Sequence, residues 1–160
     1  MKRIAVYPGT FDPVTNGHVD LAERSLRMFD RVIVAVAANP KKQPLFELRE
    51  RIIMFKKATM GYRNLVIEGF DGLLVDYVKE KKAVAIIRGL RAVSDFEHEM
   101  QMALMNRRLD NNIETVFMMP NEDYSFITST IVKEAASYGG DVSSLVPKGV
   151  VEKLRKRFGK

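Results

Sequence analysis

The sequence predicts an α/β fold, a single doubly wound, Rossmann-like domain on a five-stranded parallel sheet with strand order 3-2-1-4-5. Three observations predict it. Short runs of β-branched residues alternate with longer amphipathic stretches along the whole chain, the pattern of a parallel sheet with crossover helices. The 160 residues suit one domain, and no internal repeat, linker or low-complexity segment divides them. The composition, 46% hydrophobic and 29% charged, supplies a core, yet the longest apolar run, Val32 to Ala38, falls far short of the roughly 20 residues of a membrane span.

The first strand reads Arg3 to Tyr7. Turn-forming residues from Pro8 to Gly17 lead into a helix whose stripe Val19, Ala22, Leu26 and Phe29 recurs at helical spacing. Strand two is Arg31 to Ala37, and after the loop Asn39 to Pro44 a helix of about Leu48 to Met60 turns Ile52, Phe55 and Thr59 inward. Strand three, Leu65 to Gly69, precedes a helix from Leu73 to Lys82 and strand four, Val84 to Ile87. A helix over 94–110 is expected to be capped by Ser94, with Glu97 three residues on in a capping-box pattern. Strand five is Thr115 to Met119; a polar loop from Pro120 to Phe126 follows, and a helix starting near Thr128 or Ser129 stops at Gly139-Gly140. The last helix is Lys148 to Phe158. Right-handed crossovers favour the order 3-2-1-4-5, in which the ends of strands one and four splay into a ligand crevice, so Thr10-Phe11 should face Arg88-Gly89.

Composition removes several chemistries. With no cysteine there is no thiolate nucleophile, disulfide or iron–sulfur cluster, and with only His18 and His98 there is no three-histidine metal centre. The start Met1-Lys2-Arg3, with only a short apolar run before Pro8-Gly9, does not read as a secretory signal, and a cytoplasmic address is expected. Of the net charge of +6, five charges lie between Lys148 and Lys160, where six basic residues face one acid. A single aromatic, Phe158, falls among them and makes no interleaved pattern, so a solvated helix face is preferred over a nucleic-acid arm.

Neither GxGxxG nor GxxxxGK[ST] occurs, which takes away the main support for dinucleotide redox chemistry and Walker-type phosphate binding. A different phosphate device is visible in Thr15-Asn16-Gly17-His18, where a helix begins and its free N–H groups and dipole favour an anion. Arg88 closes an apolar strand at the inferred crevice, a position for function. Lys42, beside Lys41 in an exposed loop, reads by itself as a solvated charge, Leu74 as packing, and Glu99 as a solvent-facing helix charge. Met100, Met102 and Met105 sit on a methionine-rich helix that suits core packing, a pocket or a subunit interface.

Pro8-Gly9-Thr10-Phe11-Asp12-Pro13 with Thr15-Asn16-Gly17-His18 resembles the amino-terminal motif of the nucleotidylyltransferase superfamily, related to the HIGH motif of class I aminoacyl-tRNA synthetases. Ile127-Thr128-Ser129-Thr130-Ile131-Val132-Lys133 looks like that superfamily's ISSTxxR element, with Lys133 where many members have arginine. The stretch Ile87 to Glu99 is similar to one characteristic of the bacterial phosphopantetheine adenylyltransferase family, and the likeness spans essentially the whole chain. It implies adenylyl transfer from ATP to 4′-phosphopantetheine, giving dephospho-coenzyme A and pyrophosphate. It assigns His18 to the α-phosphate in the transition state and Thr10 to a place between ATP and the acceptor. Lys42 and Arg88, as catalytic cations, would hold the acceptor phosphate, and Leu74 would line the pantetheine site. Phe11, Gly89, Leu90, Arg91, Glu99 and the run Tyr124, Ser125, Phe126, Ile127, Thr128, Ser129 and Thr130 would contact ATP. A homohexamer is implied, as is Mg²⁺ bound mainly through ATP phosphates without a protein metal cage. Two other readings stay open on the residues alone. One is a sister enzyme of the superfamily acting on nicotinate mononucleotide or an alcohol phosphate. The other is a nucleotide-binding module without turnover.

Overall fold

A computed structural model describes the whole chain, residues 1–160, apart from the side chains of Val93 and Ser94. Five parallel strands, β1 (Ile4–Gly9), β2 (Arg31–Ala37), β3 (Leu65–Phe70), β4 (Ala85–Gly89) and β5 (Glu114–Met118), lie in the order β3-β2-β1-β4-β5. Six helices connect and flank them: α1 (Asn16–Ser25), α2 (Leu48–Ala58), α3 (Leu74–Glu80), α4 (Val93–Leu109), α5 (Ser129–Ser137) and α6 (Lys148–Phe158). Since side chains alternate across a strand, each strand feeds two cores. Ala5, Tyr7, Val32, Val34, Val36 and Ile87 pack on one face under α1, α2, α5 and α6. Val6, Ile33, Ala35 and Ile86 pack on the other, where α3 contributes Val75, Tyr77 and Val78. Burial on both faces is why β2 reads as an unbroken apolar run, with Val32 to Val36 all buried.

The element order and strand order are those the sequence predicts, and two strand ends differ instructively. β1 continues through Pro8 and Gly9, and β4 through Arg88 and Gly89. β1 stays in register with β2 along its whole length, from Ile4↔Arg31 to Gly9↔Val36, but pairs with β4 only at Ala5↔Ala85 and Val6↔Ile86. A proline is tolerated there because its missing N–H lies on the side that has already parted from β4. The same side carries the Pro8 carbonyl, which accepts from the Arg88 guanidinium at 3.2 Å. The crevice therefore opens inside the strand pair, with three residues of each strand beyond the last pairing at Val6↔Ile86.

α4 starts at Val93 with Ala92 in the cap position, one residue before the predicted start; the capping expected of Ser94 concerns a side chain outside the described residues. α5 ends at Ser137, and Gly139 takes a left-handed φ of 80° at the predicted stop. The basic tail departs from a purely solvated face. α6 buries Val150 and Leu154, and its Arg157 pairs with Glu50 at 3.0 Å and lies 4.9 Å over the Phe46 ring. No described helix is long and apolar enough to cross a membrane.

Candidate active site

The carboxyl ends of β1 and β4 open on two cavities that share a wall. The larger, about 390 Å³, runs between the starts of α1 and α5 and is lined by Gly17, His18, Arg91, Tyr124, Ser129 and Thr130, among others. The smaller, about 270 Å³, runs towards α3 and α4 past Asn39, Lys42, Phe70, Leu74, Met102 and Asn106. Pro8, Gly9, Thr10, Arg88, His98 and Glu99 border both. Thr10 and Arg88 thus face each other at the junction, as the strand order requires.

His18 is held by its own helix cap. Thr15 caps α1: its hydroxyl accepts from the His18 backbone N–H at 3.3 Å, and its backbone N–H donates to His18 Nδ1 at 3.0 Å. A backbone nitrogen only donates, so Nδ1 must accept, and in the neutral ring the proton sits on Nε2. Burial, and after it the charges of Arg91 and Arg88, pull the His18 pKa down to about 3. At neutral pH His18 is therefore an uncharged donor that offers one N–H. Its ring stands edge-on to Phe11, with centroids 4.9 Å apart, and Phe11 in turn meets Tyr7 at 5.2 Å and Phe55 at 5.0 Å. Phe11 is only 4% exposed and has φ of 52°, so it presents one edge to the larger cavity and otherwise braces the histidine from the core.

The bracing explains Gly9, where an added Cβ would stand 2.7 Å from Phe11 Cζ. Gly17 is under less pressure: a Cβ there would lie 3.4 Å from Tyr124 Cβ, an ordinary contact. Its freedom matters for whatever approaches the α1 N-terminus.

Arg88 is oriented by a carboxylate. Its Nε and NH2 donate to the two Glu99 oxygens at 2.9 and 2.6 Å, and NH1 donates to the Pro8 carbonyl. Burial pushes the Glu99 carboxyl up, but the Arg88 hydrogen bonds and charge outweigh it and hold the group below its usual range. Of the five guanidinium N–H groups, one each on NH1 and NH2 stays unused, and Arg88 borders the junction where an oxyanion could be received. Glu99 is thus no solvent-facing charge: its side chain is 12% exposed and its partner is Arg88.

The other predicted residues divide as follows. Lys42 ends an exposed 3₁₀ turn, Pro40–Lys42, and overlooks the smaller cavity, which Leu74 at the start of α3 also lines. Gly89, Arg91, Tyr124, Ile127, Thr128, Ser129 and Thr130 all line the larger one. Leu90, Ser125 and Phe126 line neither: the Leu90 N–H bonds the Met118 carbonyl, and Phe126 is 59% exposed. Thr128 caps α5 by accepting from the Ile131 N–H, while Ser129 Oγ donates to the Pro13 carbonyl at 2.8 Å and docks that helix on the first loop. Lys133 pairs with buried Asp12 at 2.9 Å. Asp12 also accepts from the Leu45 and Phe46 backbone N–H groups, tying the first loop to the segment before α2.

Sequence reasoning missed Thr15 as the group that orients His18, Asn106 as a wall of the smaller cavity, and Arg51, a fully buried arginine beneath the site. Thr15 was within reach, since threonine three residues before a side chain that can accept is a cap signature. Chemically, the arrangement offers one neutral donor, the N-termini of α1 and α5, and fixed cations around a junction between two chambers. That is equipment for transfer between phosphates. Among the described residues no three His, Asp or Glu side chains gather as a metal site.

Residues 6–135 match a family model described as cytidylyltransferase-like. Over 161 aligned residues, covering all of both chains, the sequence is 56% identical to a phosphopantetheine adenylyltransferase of Thermodesulfovibrio yellowstonii. It is 55% identical to a phosphopantetheine adenylyltransferase of Carboxydothermus hydrogenoformans, over 99% of this chain and 98% of that one. Among solved structures, a bifunctional NMN adenylyltransferase/ADP-ribose pyrophosphatase from Francisella tularensis superposes with a TM-score of 0.70 at 14% identity, across 98% of this chain and 50% of that one. At that identity the likeness concerns the fold.

Proposed function

The chain belongs to the phosphopantetheine adenylyltransferase family, and on that premise we propose that it transfers the adenylyl group of ATP to 4′-phosphopantetheine, releasing pyrophosphate and forming dephospho-coenzyme A. The observation that carries the reading is the pair of chambers meeting at Thr10 and Arg88. ATP occupies the larger, with its phosphates at the N-termini of α1 and α5 and near Arg91. The acceptor occupies the smaller, its pantetheine arm along Leu74 and Phe70 and its phosphate between Lys42 and Arg88.

An oxygen of the acceptor phosphate attacks the α-phosphorus of ATP, the bond from that phosphorus to the α,β-bridging oxygen breaks, and the electron pair leaves with pyrophosphate. A phosphate monoester is already ionised near neutral pH, so no general base is needed. The work is alignment and neutralisation of charge. Arg88 and Lys42 hold the attacking phosphate, Thr10 bridges it to the nucleotide, and the Nε2–H of His18 donates to the α-phosphate oxygen as charge gathers there. An uncharged donor suits that place, because Arg88 and Arg91 already supply the cations.

Mg²⁺ fits through the oxygens of ATP, since the larger chamber offers hydroxyls while Glu99 is committed to Arg88; it would shield the triphosphate there. A homohexamer and a cytoplasmic location complete the reading. The assembly is supported by the exposed apolar side chains of α4, among them Met100, Leu104, Met105 and Leu109, which need a cover. Light scattering at micromolar concentration tests it, and a monomer would reject it.

The decisive assay is pyrophosphate release on mixing the protein, ATP, Mg²⁺ and 4′-phosphopantetheine. Release that depends on the acceptor is expected. Release with nicotinate mononucleotide in its place would favour a sister enzyme, and ATP binding without release would favour a non-catalytic module.

A further inference from the structure

Arg51 is the largest fully buried side chain among the described residues, 1% exposed, and it lines neither cavity. Its guanidinium spends its donors on backbone carbonyls from three separate segments. NH1 donates to Thr10 O and Ala37 O, both at 2.8 Å, Nε donates to Phe46 O at 3.0 Å, and NH2 reaches Ala38 O at 3.4 Å. These acceptors end β1, end β2 and precede α2. Between the second and third lies the turn Pro40–Lys42, bounded by Asn39 and Gln43, both with positive φ. Its leading end meets β3 through the Ala38 N–H bond to the Phe70 carbonyl and its trailing end meets Asp12 through the Leu45 and Phe46 N–H groups, so its position depends on how those two ends are held relative to each other. Arg51 anchors both, and it anchors them to the residue at the junction of the chambers.

We infer that Arg51 is a positioning residue, which fixes the Lys42 turn relative to Thr10 and so sets the shape of the acceptor chamber. The guanidinium is suited to this because its donors sit on three nitrogens fixed in one rigid plane, whereas a lysine carries its three donors on a single nitrogen at the end of a flexible stem. The ATP chamber is braced separately, through Thr15 to His18 and Ser129 to Pro13. Thr10 borders both chambers, but only the acceptor chamber also contains the Lys42 turn, so loss of Arg51 should act chiefly on the acceptor and little on ATP. The naming of that substrate rests on the function proposed above; the tie itself does not.

The test uses the full chain with Arg51→Lys. Amide hydrogen exchange of residues 38–46 should accelerate at least tenfold while the centres of β1 and β2 keep their protection. Calorimetric titration should give an ATP affinity within threefold of the parent. The KM for 4′-phosphopantetheine should rise tenfold or more, with a smaller fall in kcat. Unchanged exchange in 38–46, or an ATP affinity that falls in step with acceptor use, overturns the inference, as does a lowered melting temperature with parental kinetics per folded molecule. If the parent itself does not turn over, the adenylyl-transfer reading fails, while exchange and ATP titration still judge the tie. Should lysine destabilise the fold, Arg51→Ala with added millimolar guanidinium decides: recovered protection of 38–46 supports the tie, and its absence overturns it.

Discussion

At the scale of single residues, His18 shows how a hydrogen bond decides chemistry. Because the Thr15 backbone N–H occupies Nδ1, nitrogen NMR at pH 7 should find Nδ1 unprotonated and Nε2 protonated, a pattern that persists to pH 5 in the free protein. An imidazolium signal at pH 6 would reject the neutral donor. The same depressed pKa has a sign in stability. Well above pH 6.5 neither folded nor unfolded chain protonates this ring; as pH falls through 6.5 toward 3 the unfolded chain binds a proton that the folded chain refuses, so His18 works against folding over that window. His18→Asn should accordingly lessen the loss of stability between pH 6 and 4, measured by urea unfolding, while His18→Ala lowers kcat roughly 100- to 1,000-fold, the usual cost of a lost transition-state donor. For Arg88 the bidentate grip of Glu99 leaves a two-donor edge for phosphate. Arg88→Lys should be impaired and Arg88→Ala more so, by roughly 10- to 150-fold in kcat/KM for the acceptor, the range of a hydrogen bond to a charged group. Titrations with each substrate separately check the assignment, since weakened ATP binding with intact acceptor binding would place Arg88 on the wrong ligand.

At the scale of elements, the site exists because β1 parts from β4 while still paired with β2. Pro8 and Gly9 serve that parting, one by lacking a donor on the open side and the other by leaving room for Phe11. Gly9→Ala should drive the Phe11 ring from its place, and the ring carries the contact to His18, so turnover should fall further than ATP affinity. Parental kcat in that variant, with a parental fold by circular dichroism, would show that the brace is dispensable. Much of this level was legible. Apolar runs mark β1, β2 and β4 because strands covered on both faces admit little else at their centres. The ends were not, since proline and glycine read as turn formers, and only the register shows that β1 carries them inside a strand. Arg51 was hidden for a related reason. In Leu48-Arg49-Glu50-Arg51 it resembles the solvated face of a helix, and its acceptors are backbone carbonyls, which leave no trace in a sequence. The placement of Thr10 opposite Arg88 was legible because the strand order brings those two strand ends together, whereas the role of His18 came from the resemblance of its motif. Glu99 was visible only as a residue of a familiar stretch, and its bond to Arg88 spans a loop whose path the pattern does not give.

At the scale of the whole molecule, the net charge of +6 is the property most open to misreading. Nearly all of it belongs to the segment from Lys148 to Lys160, and a basic helix invites comparison with nucleic-acid arms. The fold gives part of that charge internal work. Arg157 pairs with Glu50, lies over the Phe46 ring and donates to the Leu45 carbonyl, so it is a clasp between α6 and the segment that leads into α2. That segment is the one Arg51 and Asp12 also hold, which puts the tail's best-placed cation in service of the site's outer frame. Phe158, the one aromatic among the cations that remain, packs against the core, and charge without stacking or base-edge contacts gives only weak, salt-sensitive attraction to phosphates. The expected outcome is therefore twofold. Fluorescence anisotropy with labelled single- and double-stranded DNA at about 150 mM salt should show no sequence-dependent binding, whatever is seen at low salt. Arg157→Ala should loosen the frame instead, lowering the thermal midpoint and raising the KM for the acceptor more than that for ATP. Tight, sequence-selective binding at that salt, lost on neutralising Lys153 and Lys156 with turnover intact, would mean that α6 serves a nucleic acid and that the clasp is incidental.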